Sequence, residues 1–170
     1  MHPGGAPENA IHRPTPNPPR ITTSSTYLSL HYHLIFSTKD RRPLIEAAWR
    51  SRLHEYLGDT IRGLGGFPQE TGGIADHVHL LVGLKATHCL ADVMRELKKA
   101  SSAWVHEEIG AENSSWQEGY AAFTVSATAR DGVKGYIANQ EQHHRKKTFR
   151  EELVELLTKA EIEYDPRFLD

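Results

Sequence analysis

The period of the apolar residues switches between two and three-to-four along residues 27–126, and the order of those switches restricts the folds open to this chain. In residues 27–37, Leu28, Leu30, Tyr32, Leu34 and Phe36 alternate with Ser29, His31, His33, Ile35 and Ser37, which places one set on each face of a strand. Leu44, Ala47, Ala48, Leu53, Leu57, Ile61 and Leu64 then recur at helical steps, from a start at Pro43 to a stop at Gly65-Gly66. Residues 77–84 alternate again, with Val78, Leu80 and Val82 opposite His77, His79 and Leu81. Helical spacing returns over 91–109 through Val93, Met94, Leu97, Ala100, Trp104 and Val105, and ends at Gly110. Residues 120–126 give another strand, with Tyr120, Ala122, Thr124 and Ser126 on one face and Ala121, Phe123 and Val125 on the other. The stretch 67–76 reads poorly as a strand because Pro68, Gly72 and Gly73 weaken it. A strand there completes the order strand, helix, strand, strand, helix, strand. That order predicts an α+β, ferredoxin-like βαββαβ sandwich, an antiparallel sheet with helices on one face and the other face open to a partner or substrate. Two further helices are expected over 130–145 and 148–160.

A length of 170 residues suits one domain. Six of the nine prolines fall in the first 20 residues, so residues 1–26 read as a disordered N-terminal extension and 27–170 as a single domain. No apolar run approaches the roughly 18 to 20 residues that a membrane-spanning helix needs. The formal net charge is −2, so a polyanionic partner must be met by a local patch. Cys89 is the sole cysteine, which excludes an intramolecular disulfide and a CxxC site. The N-terminus lacks a basic start followed by an apolar stretch, so no secretory signal is visible. A reducing, cytoplasmic setting is expected.

Nine of the eleven histidines lie outside residues 1–26. The sharpest local feature is Asp76-His77-Val78-His79-Leu80-Leu81. On a strand, residues two apart rise about 6.6 Å and project from one face, so two imidazoles can converge on one cation. The same pattern also fits two histidines on a half-buried sheet face. In a ferredoxin-like sheet order the strand 27–37 lies alongside. His31 and His33 then either line the same open face or stand as ordinary polar positions at a helix or dimer contact. The second feature is Tyr136 and Gln140, four apart and so on one helical face. They supply a phenol that can act as nucleophile and an amide oxygen that can complete a metal shell. Residues 130–150 carry six lysines and arginines against Asp131 and Glu141, a local excess able to bind phosphates. A shell of two neutral histidines and one amide brings no charge to offset a cation, and so favours an anionic ligand such as a phosphodiester. The cation would polarise the scissile phosphate and leave Tyr136 as the nucleophile.

These residues resemble the one-tyrosine HUH transposases of single-strand-transposing bacterial insertion sequences, together with their domesticated relatives that process repeated extragenic palindromes. HUH stands for His, hydrophobe, His, here His77-Val78-His79. The resemblance runs through YHLIFSTKDRRPLI, DHVHLLV, LKKASSAWV, WQEGYAAFTVS, YIANQEQHHRKKTFREELVELL and IEYDPRFLD, in that order. It implies a metal-dependent DNA strand transferase that cleaves and rejoins single-stranded DNA, often folded as a hairpin. Tyr136 would form a 5'-phosphotyrosine link, and His77, His79 and Gln140 would hold Mg2+ or Mn2+. It also implies a homodimer in which the tyrosine helix serves its own or the partner's histidine pair, with Gly132 and Gly135 as a hinge. Lys39, Arg41, Arg42, Lys98, Lys99, Arg145, Lys146 and Lys147 are the candidate DNA contacts. Active transposase and domesticated palindrome-processing enzyme would use the same residues. A non-catalytic single-strand binder on this sandwich would place stacking aromatics on the central strands, where residues 77–82 offer two histidines and no aromatic ring.

Overall fold

The computed structural model describes residues 26–169; of the expected N-terminal extension, all but Thr26 lies outside the described residues. Four strands, β1 (His31–Ser37), β2 (Phe67–Gly73), β3 (His77–Gly83) and β4 (Ala121–Thr124), form one sheet in the order β2-β3-β1-β4. Every neighbouring pair is antiparallel. The expected βαββαβ order is completed by α1 (Ala47–Gly63) and α2 (Leu90–Trp104). A π-helical turn, Val105–Ile109, continues α2 and stops at Gly110, whose φ of 76° favours glycine.

The alternation seen in the sequence becomes two faces. Leu34 and Phe36 of β1 and Val78, Leu80 and Val82 of β3 pack against Trp49, Leu53, Leu57 and Ile61 of α1 and Val93, Met94 and Leu97 of α2. Each fully buried side chain of this size contributes about 1.5–3 kcal/mol, so this layer is what holds the sheet flat against its helices. The helix expected from Pro43 begins at Ala47, after Glu46. Its approach is extended because the Ile45 N–H donates to the Ala75 carbonyl at 2.8 Å and the Ile45 side chain enters the core.

The opposite face, expected to stay open, carries the C-terminal helices α3 (Arg130–Ala138), α4 (Gln140–His143) and α5 (Phe149–Lys159). The single helix expected over 130–145 breaks at Asn139, with φ −103° and ψ 23°. Leu81, Val125 and Ile137 form a second apolar cluster under α3. With strands on both sides and layers on both faces, all seven residues of β3 are buried.

The poor strand pattern of 67–76 has its explanation here. A Cβ on Gly72 would stand 2.1 Å from the Ile137 carbonyl oxygen, so α3 rests directly on the β2 backbone. Gly73, at φ 146°, begins the turn into β3, where a Cβ would stand 2.3 Å from the His77 carbonyl oxygen. Pro68 is tolerated because β2 is an edge strand with a register shift between Pro68 and Glu70. Gly72→Ala should therefore lift α3 from the sheet and cost about 1–3 kcal/mol. Urea unfolding checks this, and a variant of wild-type stability would mean that the contact is looser than described.

Candidate active site

β3 directs His77 and His79 toward the layer of α3–α5, and both are wholly enclosed. His77 Nδ1 lies 2.6 Å from Asp76 Oδ1. The ring N–H donates there and leaves the Nε2 lone pair facing inward. His79 Nδ1 lies 2.8 Å from Nε2 of His33 on the adjacent strand. With His33 accepting, His79 Nε2 is likewise left with its lone pair, and it has no hydrogen-bond partner among the described residues. Burial holds His33 down at about 4, and burial with the neighbouring His77 and His33 holds His79 well below the ordinary imidazole value. Both rings are neutral near pH 7, as ligands must be. His31 stands apart at the other end of β1, beside Ser29 and Arg130.

The carboxylate of the site comes from α5. Thr148 caps this helix through a capping box with Glu151. Three residues apart on the next turn, Phe149 and Glu152 share the face turned to the sheet. The Phe149 ring stacks on His77, with centroids 4.2 Å apart and planes at 19°. Glu152 is 1% exposed, and its Oε2 stands 3.1 Å from His144 Nε2, 3.4 Å from His79 Nε2 and 3.7 Å from His77 Nε2. Ligand atoms of His77, His79, His144 and Glu152 all lie within 4.8 Å of one another. Burial pushes the Glu152 carboxyl up to about 8, with Asp76 and Glu155 adding to the push. Burial and the neighbouring His77 hold His144 down at about 4.

These contacts are not ion pairs. Burial lowers His79 and His144 and raises Glu152, so these three rest uncharged near pH 7, the nitrogens with lone pairs to share and the carboxyl without a cation to ionise against. A divalent cation among three nitrogens and one oxygen meets both needs, so the donor set fits a metal.

Tyr136 and Gln140 enter this same site in spite of the break between them. The Tyr136 hydroxyl donates to Glu152 Oε1, and Gln140 Nε2 donates to that oxygen at 3.1 Å. Gln140 Oε1 faces the metal-capable group, 2.9 Å from His144 Nε2 and 3.3 Å from His77 Nε2. The phenol reaches the histidine pair within one chain, its ring centroid 6.0 Å from that of His79. To the two histidines and the amide expected from the sequence, the structure adds His144 and a carboxylate, Glu152, in the group that could hold a metal. His144 and Glu152 were not identified from the sequence. The signal that pointed to Glu152 is a carboxylate three residues from Phe149, on the apolar stripe of an amphipathic helix.

The basic candidates divide by place. Lys146 and Lys147 line a groove beside Tyr136 with Gly132, Gly135 and Asn139, although Lys147 is paired with Glu155. Arg145 lies on another side of the site, near Asp76 and His144. Arg41 donates to the Leu169 carbonyl and sits 6.0 Å over the Phe149 ring, with Lys39 and Arg42 exposed next to it. Lys98 and Lys99 belong to α2, in the layer behind the sheet. The Lys98 ammonium donates to the carbonyls of Gln117, of Glu118 at 2.7 Å and of Gly119 at 3.2 Å, and so secures the loop before β4. These two lysines are not gathered at the site.

The family described as transposase IS200 like matches residues 26–140; His144, Phe149 and Glu152 lie beyond the matched stretch. The ISDra2 transposase TnpA of Deinococcus radiodurans is 29% identical over 120 residues, which is 65% of this chain and 84% of that protein. A crystal structure of a Deinococcus radiodurans protein described as a transposase superposes with a TM-score of 0.55 at 27% identity, over 71% of this chain and 98% of the other. A REP-associated tyrosine transposase bound to a REP hairpin shares the fold, with a TM-score of 0.53 at 16% identity over 71% of this chain and 74% of the other. With the profile spanning well over half of its length, and with the HUH pair, the tyrosine and the glutamine on one face of the sheet, the chain belongs to the IS200-like transposase family.

Proposed function

We propose that this chain is a metal-dependent strand transferase that cleaves and rejoins single-stranded DNA through a 5'-phosphotyrosine intermediate, with Tyr136 as nucleophile. The observation that carries the reading is one shared carboxylate: Glu152 accepts the Tyr136 hydroxyl on one oxygen while the other faces three imidazole nitrogens. Nucleophile and metal-capable group are thereby held at a single point. The Tyr136 oxygen attacks phosphorus, the bond to the 3'-oxygen breaks, and a 3'-hydroxyl leaves. Glu152, once ionised beside a bound cation, would be placed to take the phenolic proton, which a free phenol, with a pKa of about 10, does not release unaided. His77, His79, His144 and Glu152, with the Gln140 oxygen beside them, would hold Mg2+ or Mn2+, which would supply charge stabilisation at the phosphate. Attack of another 3'-hydroxyl on the phosphotyrosine bond rejoins DNA without ATP.

The groove that borders Tyr136 supports the same substrate. It contains Lys146 and Lys147, cations suited to phosphates. A relative of the same fold is bound to a REP hairpin, and hairpin-ended DNA is the substrate class adopted here. Among the described residues no helix is long and apolar enough to cross a membrane. The reading is of a cytoplasmic enzyme working as a homodimer.

Three outcomes are expected. Incubated with a labelled single-stranded hairpin and Mn2+ or Mg2+, the protein should form an adduct that survives denaturation. Tyr136→Phe should form none while still binding the hairpin, and an adduct that persists in this variant moves the nucleophile elsewhere. Asp76→Ala removes the acceptor that orients His77, and should weaken Mn2+ binding in calorimetry by about 10- to 100-fold; an unchanged constant would detach Asp76 from the site. Gly135 concerns motion, because a Cβ there meets nothing within 4 Å. Gly135→Ala should raise thermal stability by up to about 1 kcal/mol, as expected for alanine in a helix, yet slow strand transfer more than hairpin binding. Equal loss of both would remove the hinge.

A further inference from the structure

A second cavity opens on the same face of the sheet, one strand away from the histidine pair. It encloses about 230 Å³ and has Ile35 and Ser37 of β1 at its floor. The register makes these two residues the cross-strand partners of His79 and His77, so floor and histidine pair are immediate neighbours. Phe149 is the wall between them: it lines the cavity and stacks on His77. The rim is aromatic and solvent-facing, with Tyr120 at 41%, Tyr164 at 39% and Phe168 at 82% exposure.

We propose that this cavity receives one unpaired base of the DNA strand, next to the phosphate that reaches Tyr136. The inference rests on the single-stranded DNA reading above and adds to it a subsite that the histidine pair and the tyrosine do not provide. Packed interiors leave few voids larger than a water molecule, and a space of this size is below the roughly 300 Å³ at which pockets for larger ligands begin. It suits one flat heterocycle. The aromatic rim offers stacking surface, which binds any base because every base has a π face. Ser37 and Gln117 supply polar groups for its edge. A phosphate is a poorer occupant, because the Arg41 guanidinium at the cavity already donates to the Leu169 carbonyl. Arg167, 6.0 Å over the Phe168 ring, lies outside the cavity lining and is paired at 2.6 Å with the Asp165 carboxylate at the rim, which further disfavours a phosphate there.

The test compares oligothymidylate with an abasic oligodeoxynucleotide of the same length, using the full chain and Mg2+. The wild-type protein should bind the base-bearing strand more tightly by about five- to a hundredfold, the range for stacking of one base. Phe168→Ala, at a side chain too exposed to matter for folding, and Tyr164→Ala should each weaken oligothymidylate binding by about fivefold or more and leave the abasic strand unaffected. Photocrosslinking of a 5-iodouracil strand should map to Tyr120, Tyr164 or Phe168. Equal weakening of both strands, or crosslinks only at other residues, overturns the subsite. If the wild type forms the Tyr136 adduct but these aromatics show no base dependence, the subsite alone falls. If the wild type binds neither strand, the DNA reading falls and takes the subsite with it.

Discussion

A carboxylate with almost no solvent contact, set among imidazoles that burial keeps neutral, governs the rest of this molecule. An ionised carboxylate without a partner costs several kcal/mol to bury. Glu152 meets that cost in part with hydrogen bonds from Tyr136 and Gln140, and the rise of its carboxyl to about 8 records the remainder. His79 and His144 shift the opposite way for the same reason. A cation placed between them would offset the rise of Glu152 and favour the neutral imidazoles that burial already keeps. The arrangement could thus hold a metal by its electrostatics as well as by its distances.

The fold positions these groups through close backbone contact. His77 and His79 are aligned by the period of β3 and held in depth by its two flanking strands. Tyr136 depends on α3, and α3 sits where Gly72 lets the Ile137 carbonyl press on β2. Ile137 fills the second apolar cluster from the same turn of helix, so the neighbouring Tyr136 is set by packing on one side and by Glu152 on the other. Glu152 in turn depends on the Thr148 cap, which fixes the first turn of α5 against the sheet.

The strands of the sandwich were legible in the sequence where apolar residues alternate. β1 and β3 carry alternation over seven residues each, a pattern a helix does not share. β2 was hard to read because Gly72 and Gly73 answer to α3 and to a turn, contacts that no local pattern records. The start of α1 slipped because Pro43 is a good first residue for a helix, whereas Ile45 is held extended by a bond to Ala75, thirty residues on. His77 and His79 were visible because both lie on β3, and Tyr136 with Gln140 because they stand four apart, a spacing whose common face survives the break at Asn139. His144 follows Gln140 by one more step of four, at the end of α4, and Glu152 joins them only after the chain turns between α4 and α5. Lys98 shows the converse: its charge drew attention, but three backbone carbonyls engage its ammonium.

Glu152 also changes the charge account of the proposed reaction. Beside two neutral imidazoles and an amide, a divalent cation keeps its full charge. With Glu152 ionised the net charge is one positive, which a single phosphodiester neutralises. Were Glu152 to take the proton of Tyr136 it would become neutral, and a cation held beside it would then offer more positive charge to the phosphoryl group as that group gains negative charge. One side chain thereby couples release of the nucleophile to stabilisation of what it attacks, the kind of preorganised charge that matters most where water is excluded. Burial raises the Glu152 carboxyl to about 8, so without a cation it rests largely protonated near pH 7, and a cation bound beside it would have to ionise it before it could accept the phenolic proton.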